Sequence, residues 1–205
     1  SFSNKLKRSA FEAYLTILTV LNTDIFYNYE YAFYDSHLVS EFEKFKSHYI
    51  RFSTKPFDFL NIQAGLGTGN EIAYREEIPE LGDRFSFNTS IEVTLNNNLR
   101  IKPSVNFSRL KKLDSQEYFF DGYIARFDIR YQFTSSLNLR VISEYNEFSD
   151  QFFVQPLISW RPNSDTIFYL GGNQNYIDEF VDYNSPNYRV NKSQLFLKFQ
   201  YLIKS

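Results

Sequence analysis

Charged side chains recur at every second position in several segments of this 205-residue chain. Glu92 precedes a turn at 96–98, and Arg100 and Lys102 follow it. Arg126, Asp128 and Arg130 precede a turn at 134–136, and Arg140 and Glu144 follow it. If each three-residue turn pairs the residues that flank it, Glu92 sits opposite Lys102 and Arg126 opposite Glu144. By the same rule Arg130 faces Arg140, and Arg161 faces Asp165 at a later turn. Opposed ions on one sheet face stabilise a pair by about 0.2–1 kcal/mol. Arg130 against Arg140 is repulsive unless Asp128 or another strand intervenes. The chemistry on offer is electrostatic. Such a row either satisfies itself as polar filling or tunes the passage of anionic or polar solutes.

Other chemistries fail on spacing. His37 falls in a charged connection and His48 in a strand with Ile50 and Phe52 on its face. Neither has the Ser and orienting acid that a hydrolase triad needs. Gly65-Leu66-Gly67-Thr68-Gly69 lies inside a strand pattern and lacks the helix and Lys of a phosphate loop. Glycines there mark close backbone approach or a bend. Residues 71–83 and 178–182 cluster carboxylates of the kind calcium takes, but neither has the spacing of a calcium loop. Tyr176, Phe180, Tyr183 and Tyr188 form either a sugar platform or a patch that packs over the end of the fold or on a protein partner. With no Cys there is no thiol chemistry, disulfide or Cys metal site. The sequence assigns no catalytic residue, metal or cofactor, and reads as a non-enzyme.

The elements that must hold the charged rows are strands. Phe85, Phe87, Thr89, Ile91, Val93 and Leu95 alternate with Arg84, Ser86, Asn88, Ser90, Glu92 and Thr94. After Asn96-Asn97-Asn98 the pattern resumes, with Leu99, Ile101, Pro103, Val105 and Phe107 against Arg100, Lys102, Ser104 and Asn106. Side chains alternate across a strand, so this is a hairpin with one apolar and one polar face. The same period runs through 123–133, 137–145, 152–160 and 191–203. Eleven strands are expected. Tight connections near 23, 56, 97, 135 and 163 alternate with mostly longer ones at 34–45, 74–83, 109–117, 148–151 and 176–189. Residues 41–46 read as a helical turn inside the first long connection.

Mean hydropathy is −0.40, and no apolar run is long enough for a transmembrane helix. A barrel strand needs only about 9–11 alternating residues. Aromatics are 20% of the chain, with 23 Phe and 16 Tyr. That excess fits the girdles of an outer-membrane barrel or the aromatic interior of a soluble β domain. The alternation of tight and long connections favours the barrel, whose periplasmic turns are short and whose extracellular loops are long. The expected fold is therefore all-β, a transmembrane antiparallel up-and-down barrel of the bacterial outer membrane, in one domain over 1–205. Its expected lipid-facing side chains are Phe85, Phe87, Phe107, Tyr123, Phe127, Tyr131, Trp160, Phe199 and Tyr201. The expected lumen lining is Glu92, Arg100, Lys102, Arg126, Asp128, Arg130, Arg140 and Glu144. Bacterial single-chain barrels have even strand numbers, so eleven implies a miscount or an odd number of strands upstream of Ser1. Ser1 is not Met and residues 1–10 hold no signal-peptide core, which favours the upstream explanation. The net charge of −2 leaves no basic excess for nucleic acid. The expected partners are membrane lipid and other outer-membrane subunits.

Five segments in order carry a resemblance. They are Tyr131-Gln132-Phe133-Thr134; Leu139-Arg140 with Glu144-Tyr145-Asn146; Pro156-Leu157-Ile158-Ser159-Trp160; Thr166-Ile167-Phe168-Tyr169-Leu170-Gly171; and Leu197-Lys198-Phe199-Gln200-Tyr201-Leu202. Together, from roughly Arg84 to Ser205, they resemble the C-terminal barrel of the outer-membrane family called domain of unknown function 5916. The resemblance implies the C-terminal portion of a larger barrel. In that family the barrel follows a domain similar to family-nine carbohydrate-binding modules. It brings no catalytic residues and no sugar site onto this chain. The role it suggests is a channel or uptake component for polar or glycan-derived solutes, or else a non-catalytic barrel that anchors another domain.

Overall fold

The computed structural model describes residues 8–37, 40–96, 98–178 and 188–202. They form eleven strands and one short 3-10 turn. The strands are β1 (Arg8–Thr19), β2 (Thr23–His37), β3 (Ser40–Phe57), β4 (Leu60–Ile72), β5 (Leu81–Leu95), β6 (Leu99–Lys112), β7 (Tyr118–Gln132), β8 (Leu137–Asn146), β9 (Gln151–Asn163), β10 (Thr166–Asp178) and β11 (Tyr188–Tyr201). They lie in one sheet in chain order, an antiparallel up-and-down meander. The expected class and strand number agree with this. No described helix is long and apolar enough to cross a membrane, which leaves crossing by strands open.

The turns are written in local side-chain chemistry. The Thr134 hydroxyl accepts from the amides of Ser136 (3.2 Å) and Leu137 (3.1 Å) between β7 and β8. The Asn163 side chain accepts from the Asp165 amide at 3.0 Å between β9 and β10. Asn146 accepts from the Phe148 amide at 3.0 Å and starts the 3-10 turn Glu147–Ser149, which Asp150 ends at φ 49°. These are the bonds that let Ser, Thr and Asn compete with a continuing strand.

The chain divides into two compact units. The first holds residues 1–89 and 106–122. Here β2 and β3 correct the sequence reading. The expected long connection at 34–45 is strand on both sides, with Asp35 opposite Phe42 and Ser36 opposite Glu41, and 41–46 is not helical. His37 ends β2 and is not in a loop. Lys44 has φ 57° inside β3, and this left-handed residue breaks the alternation that would have marked the strand. The tight-and-long alternation of connections consequently fails at β2–β3 and holds elsewhere only loosely. Gly65, Gly67 and Gly69 lie in β4, on the face that carries Tyr49, Ser86 and Asn88. A Cβ on Gly65 would come within 2.5 Å of the Tyr49 hydroxyl and 2.7 Å of the Asn88 amide nitrogen. Gly69 has φ 129°, and its Cβ would stand 2.6 Å from the Ser47 Cα. These glycines mark close approach, as expected, and no phosphate loop.

The second unit holds residues 90–105 and 123–205. Its hairpins keep strict register: Arg126 opposes Glu144, Arg130 opposes Arg140, and Leu137 opposes Trp160. The turn between β9 and β10 is only Ser164-Asp165, one residue shorter than read from sequence. Asp165 therefore sits in the turn, and the expected opposition to Arg161 does not occur.

Buried apolar residues are few among the described ones: Ala32, Ile72, Ala73 and Leu110 in the first unit and Ile142 in the second. Many large apolar side chains stay exposed, among them Ile50, Phe87, Phe127, Ile158 and Leu170. Neither a second sheet nor a helix packs on them among the described residues.

Gly69→Ala places a Cβ against the β3 backbone at a φ that L residues avoid, at a cost of about 1–3 kcal/mol. Gly65→Ala meets the ends of two side chains and costs less. In detergent, the melting temperature is expected to fall by several degrees more for Gly69→Ala than for Gly65→Ala, at about 2–4 °C per kcal/mol. Equal shifts would show that the β4 backbone does not need its positive φ.

Candidate functional site

In the second unit the charged residues of β5 to β8 converge as the sequence suggested, with changed partners. Arg126 reaches Glu144 at 3.2 Å, directly across the β7–β8 pair. Asp128 takes both arginines that face each other: Arg140 at 2.8 Å and Arg130 at 3.2 Å. One carboxylate thus bridges two like charges. Glu92 turns to Arg100 at 3.5 Å and not to Lys102. Lys102 has no ion-pair partner among the described residues. The cavity between these side chains is about 280 Å³, lined by Glu92, Arg100, Lys102, Ser104, Arg126, Asp128 and Arg130. The cluster with Arg140 and Glu144 holds five cations and three anions, a surplus of two positive charges. The whole chain carries −2, so the rest of it carries −4.

The first unit has its own ionic cluster, which sequence reading missed. Arg8 pairs with Glu30 and lies 3.8 Å from Asp35. Arg84 lies 3.1 Å from Glu71, with its Nε out of line for a hydrogen bond. Asn70 donates to Asp83 at 2.9 Å. Asp35 is almost fully buried. Partial burial and the Asp35 charge push the pKa of Tyr74, in the turn after β4, above its usual value. The acidic stretch 71–83 is thereby engaged with Arg84 and Asn70. Of the second acidic stretch, only Asp178 lies within the described residues, as do Tyr176 and Tyr188 of the last aromatic patch; Phe180 and Tyr183 lie outside them.

The apolar face has an order that was also not read. Tyr145 opposes Phe152, which opposes Tyr176. Eight residues further along β9, Trp160 opposes Phe168, which opposes Phe199. The rings touch: Phe152–Tyr176 centroids are 6.0 Å apart, Trp160–Phe168 5.3 Å and Phe168–Phe199 5.0 Å. Tyr123 lies against Tyr145 at 5.8 Å at the same end as the first row. Between the rows stand half-exposed aliphatic and aromatic residues such as Phe127, Ile158 and Leu170. The first unit has an aromatic group at each strand end too. Arg109 stacks over Phe85 and Tyr118 beside Phe107, and Phe57 stacks on Phe59 at the β3–β4 turn, 5.2 Å apart. The eight-residue spacing was visible in the sequence as Tyr123 to Tyr131 and Phe152 to Trp160. Only the register aligned it across strands. His48 lies on this face in β3, with its Nδ1 2.8 Å from the Tyr27 hydroxyl and its ring 5.0 Å from that of Tyr29. No serine–acid arrangement includes it among the described residues.

No protein-family model matches the chain, and no curated protein matches it. Among solved structures, a KdgM porin matches over 95% of this chain and 92% of its own, at 9% identity and a TM-score of 0.38. So loose a superposition carries no argument.

Asp128→Asn would leave Arg130 and Arg140 opposed without their shared counter-charge. Both arginines are 35–50% exposed at the side chain, so solvent screens the repulsion and the cost is about 1 kcal/mol. The expected result is a melting temperature lower by about 2–4 °C, most of it restored in Asp128→Asn/Arg140→Gln. A double variant no more stable than the single one would mean that Asp128 does not act by bridging the two arginines.

Proposed function

We propose that this chain forms strands of an outer-membrane β-barrel whose polar face lines a passage for polar solutes. One observation carries the reading: two cross-strand aromatic rows bound an exposed apolar face. The rows are eight residues apart, or about 26 Å along the strand. At the usual tilt of about 35–45° this projects to about 20 Å along the membrane normal, inside the roughly 25 Å apolar band that aromatic girdles rim in such barrels. A water-exposed sheet would need a second layer over the same face. Of the nine aromatic residues expected to face lipid, Tyr123, Trp160 and Phe199 stand in these rows. The polar face, with its paired charges, is what a wet lumen holds. The resemblance to domain of unknown function 5916 points the same way and suggests polar or glycan-derived solutes.

A second reading rests on the ion pairs themselves. Arg100, Arg126, Arg130 and Arg140 all have carboxylate partners, so the polar face also suits a filled, non-conducting barrel that anchors another domain or joins an outer-membrane complex. Neither reading involves catalysis.

Trp160 is the single tryptophan and stands in the second aromatic row, so its quenching reports whether the face meets lipid or water. In vesicles containing lipids brominated on the acyl chain, its fluorescence is expected to be strongly quenched, while aqueous iodide has little effect. Strong iodide quenching with no effect of bromine would overturn the membrane reading. Conductance of the native protein in planar bilayers separates passage from the filled-barrel alternative.

A further inference from the structure

We propose that the cavity around Lys102 binds small multivalent oxyanions, carboxylate- or phosphate-bearing solutes, and makes the passage anion-selective. The inference rests on the proposed passage and adds the class of solute to it. Three observations converge.

The first is the charge balance. Four cations and two anions line the cavity, although the chain as a whole is acidic. The surplus is local to the polar face of β6 and β7 and is not a general property of the surface.

The second is the pairing. Each guanidinium has a carboxylate that holds it in place: Glu92 for Arg100, Glu144 for Arg126, Asp128 for Arg130. Asp128 is divided between two arginines, so neither is fully neutralised. Lys102, among these fixed groups, has no ion-pair partner among the described residues. A compact ammonium left unpaired beside held guanidinium groups is an incomplete counter-ion shell, and an incoming oxyanion completes it. Guanidinium forks match the two-oxygen edge of carboxylate or phosphate, while Lys supplies a point charge.

The third is size and wetness. About 280 Å³ lies just under the range of roughly 300–1,000 Å³ for pockets that hold drug-sized ligands. It suits a small charged group or one unit of a longer polyanion. The arginines stay 39–50% exposed, so the site is open enough for an ion to leave again, as conduction requires.

The alternative is that the surplus is offset by mobile counter-ions alone, with no preference among anions. The test uses the native full-length protein with citrate as the multivalent probe, pyrophosphate as the phosphate counterpart, and chloride as the monovalent control. In planar bilayers under a tenfold KCl gradient, the reversal potential is expected to have the sign of anion preference. Lys102→Glu moves it to or past zero. Citrate is expected to bind the detergent-solubilised protein by calorimetry and to bind Lys102→Glu about tenfold more weakly. Pyrophosphate tighter than citrate would assign phosphate-bearing solutes, and the reverse would assign carboxylates. If the wild type conducts but shows no anion preference, or Lys102→Glu binds citrate as tightly as wild type, the inference falls and the passage reading stands. If the wild type does not conduct, the passage reading falls. Calorimetry then decides the cavity on its own: Lys102-dependent citrate binding supports it, and no binding overturns it.

Discussion

Every strand of this sheet sends alternate side chains to a face that the chain leaves bare. Burying a Leu, Ile or Phe side chain is worth about 1.5–3 kcal/mol against leaving it in water. Among the described residues only five apolar side chains gain the full benefit, two of them alanines. Leu195 and Leu197 of β11 remain 79% and 75% exposed. In water such a sheet would forgo most of the free energy that offsets the ordering of its backbone. Hydrocarbon removes the difficulty. Lipid would supply the missing apolar contact and also exclude water from the backbone, and the meander would meet the resulting demand because its amides and carbonyls bond between neighbouring strands. The membrane reading therefore explains in one step why the fold is all-β, why it is single-layered and why its apolar face is aromatic at the rims.

The polar face is under the opposite constraint. Charges crowded on one side of adjacent strands must be neutralised without a core to hold them. The sheet does this by crossing between strands: Arg126 to Glu144, Arg140 to Asp128, Arg8 to Glu30. Each pair is partly solvated and worth little alone. Their joint effect is to fix side-chain direction, and this is what turns a set of long flexible cations into a cavity of definite lining. Where the face has no room, glycine replaces the side chain: the β4 glycines give Tyr49 and Asn88 their space.

Period-two alternation made the strands legible from sequence, because one face of each is apolar and the other polar over its whole length. The register of β7 on β8 was legible as well, since Thr134 and Ser136 mark the turn, and with it the Arg130–Arg140 opposition, while that Asp128 and not another strand relieves it came only from the structure. The misreadings have local causes. Lys44, left-handed within β3, sits among Glu41, Glu43 and Lys46, so charge and broken alternation both imitated a loop or helix. Asp165 was paired with Arg161 because Pro162-Asn163-Ser164 resembles a turn, whereas the Asn163 side chain closes a shorter one. Glu92 reaches diagonally to Arg100 although Lys102 is the residue read as opposite it. Long side chains span diagonal neighbours on a sheet, and sequence spacing does not choose between the two. The aromatic rows needed three strands in register before they became rows.

Hydrocarbon, if it covers the apolar face as proposed, is intolerant of unpaired edges. β1 and β11 stand at the two ends of the strand order, and nearly every described residue of both is exposed. In water an edge strand is solvated and is a hazard only through aggregation. Within a bilayer each unmet amide or carbonyl costs several kcal/mol, and open edges facing lipid do not occur. Leu15 and Ile17 of β1 and Leu195, Leu197 and Phe199 of β11 are as apolar as the middle of the sheet, so both edges belong to the part that would meet hydrocarbon. If the face is lipid-facing, the ladders of β1 and β11 must each be hydrogen-bonded in the membrane, to one another or to other strands. The membrane reading therefore makes a structural demand on strand pairing that a soluble reading does not make.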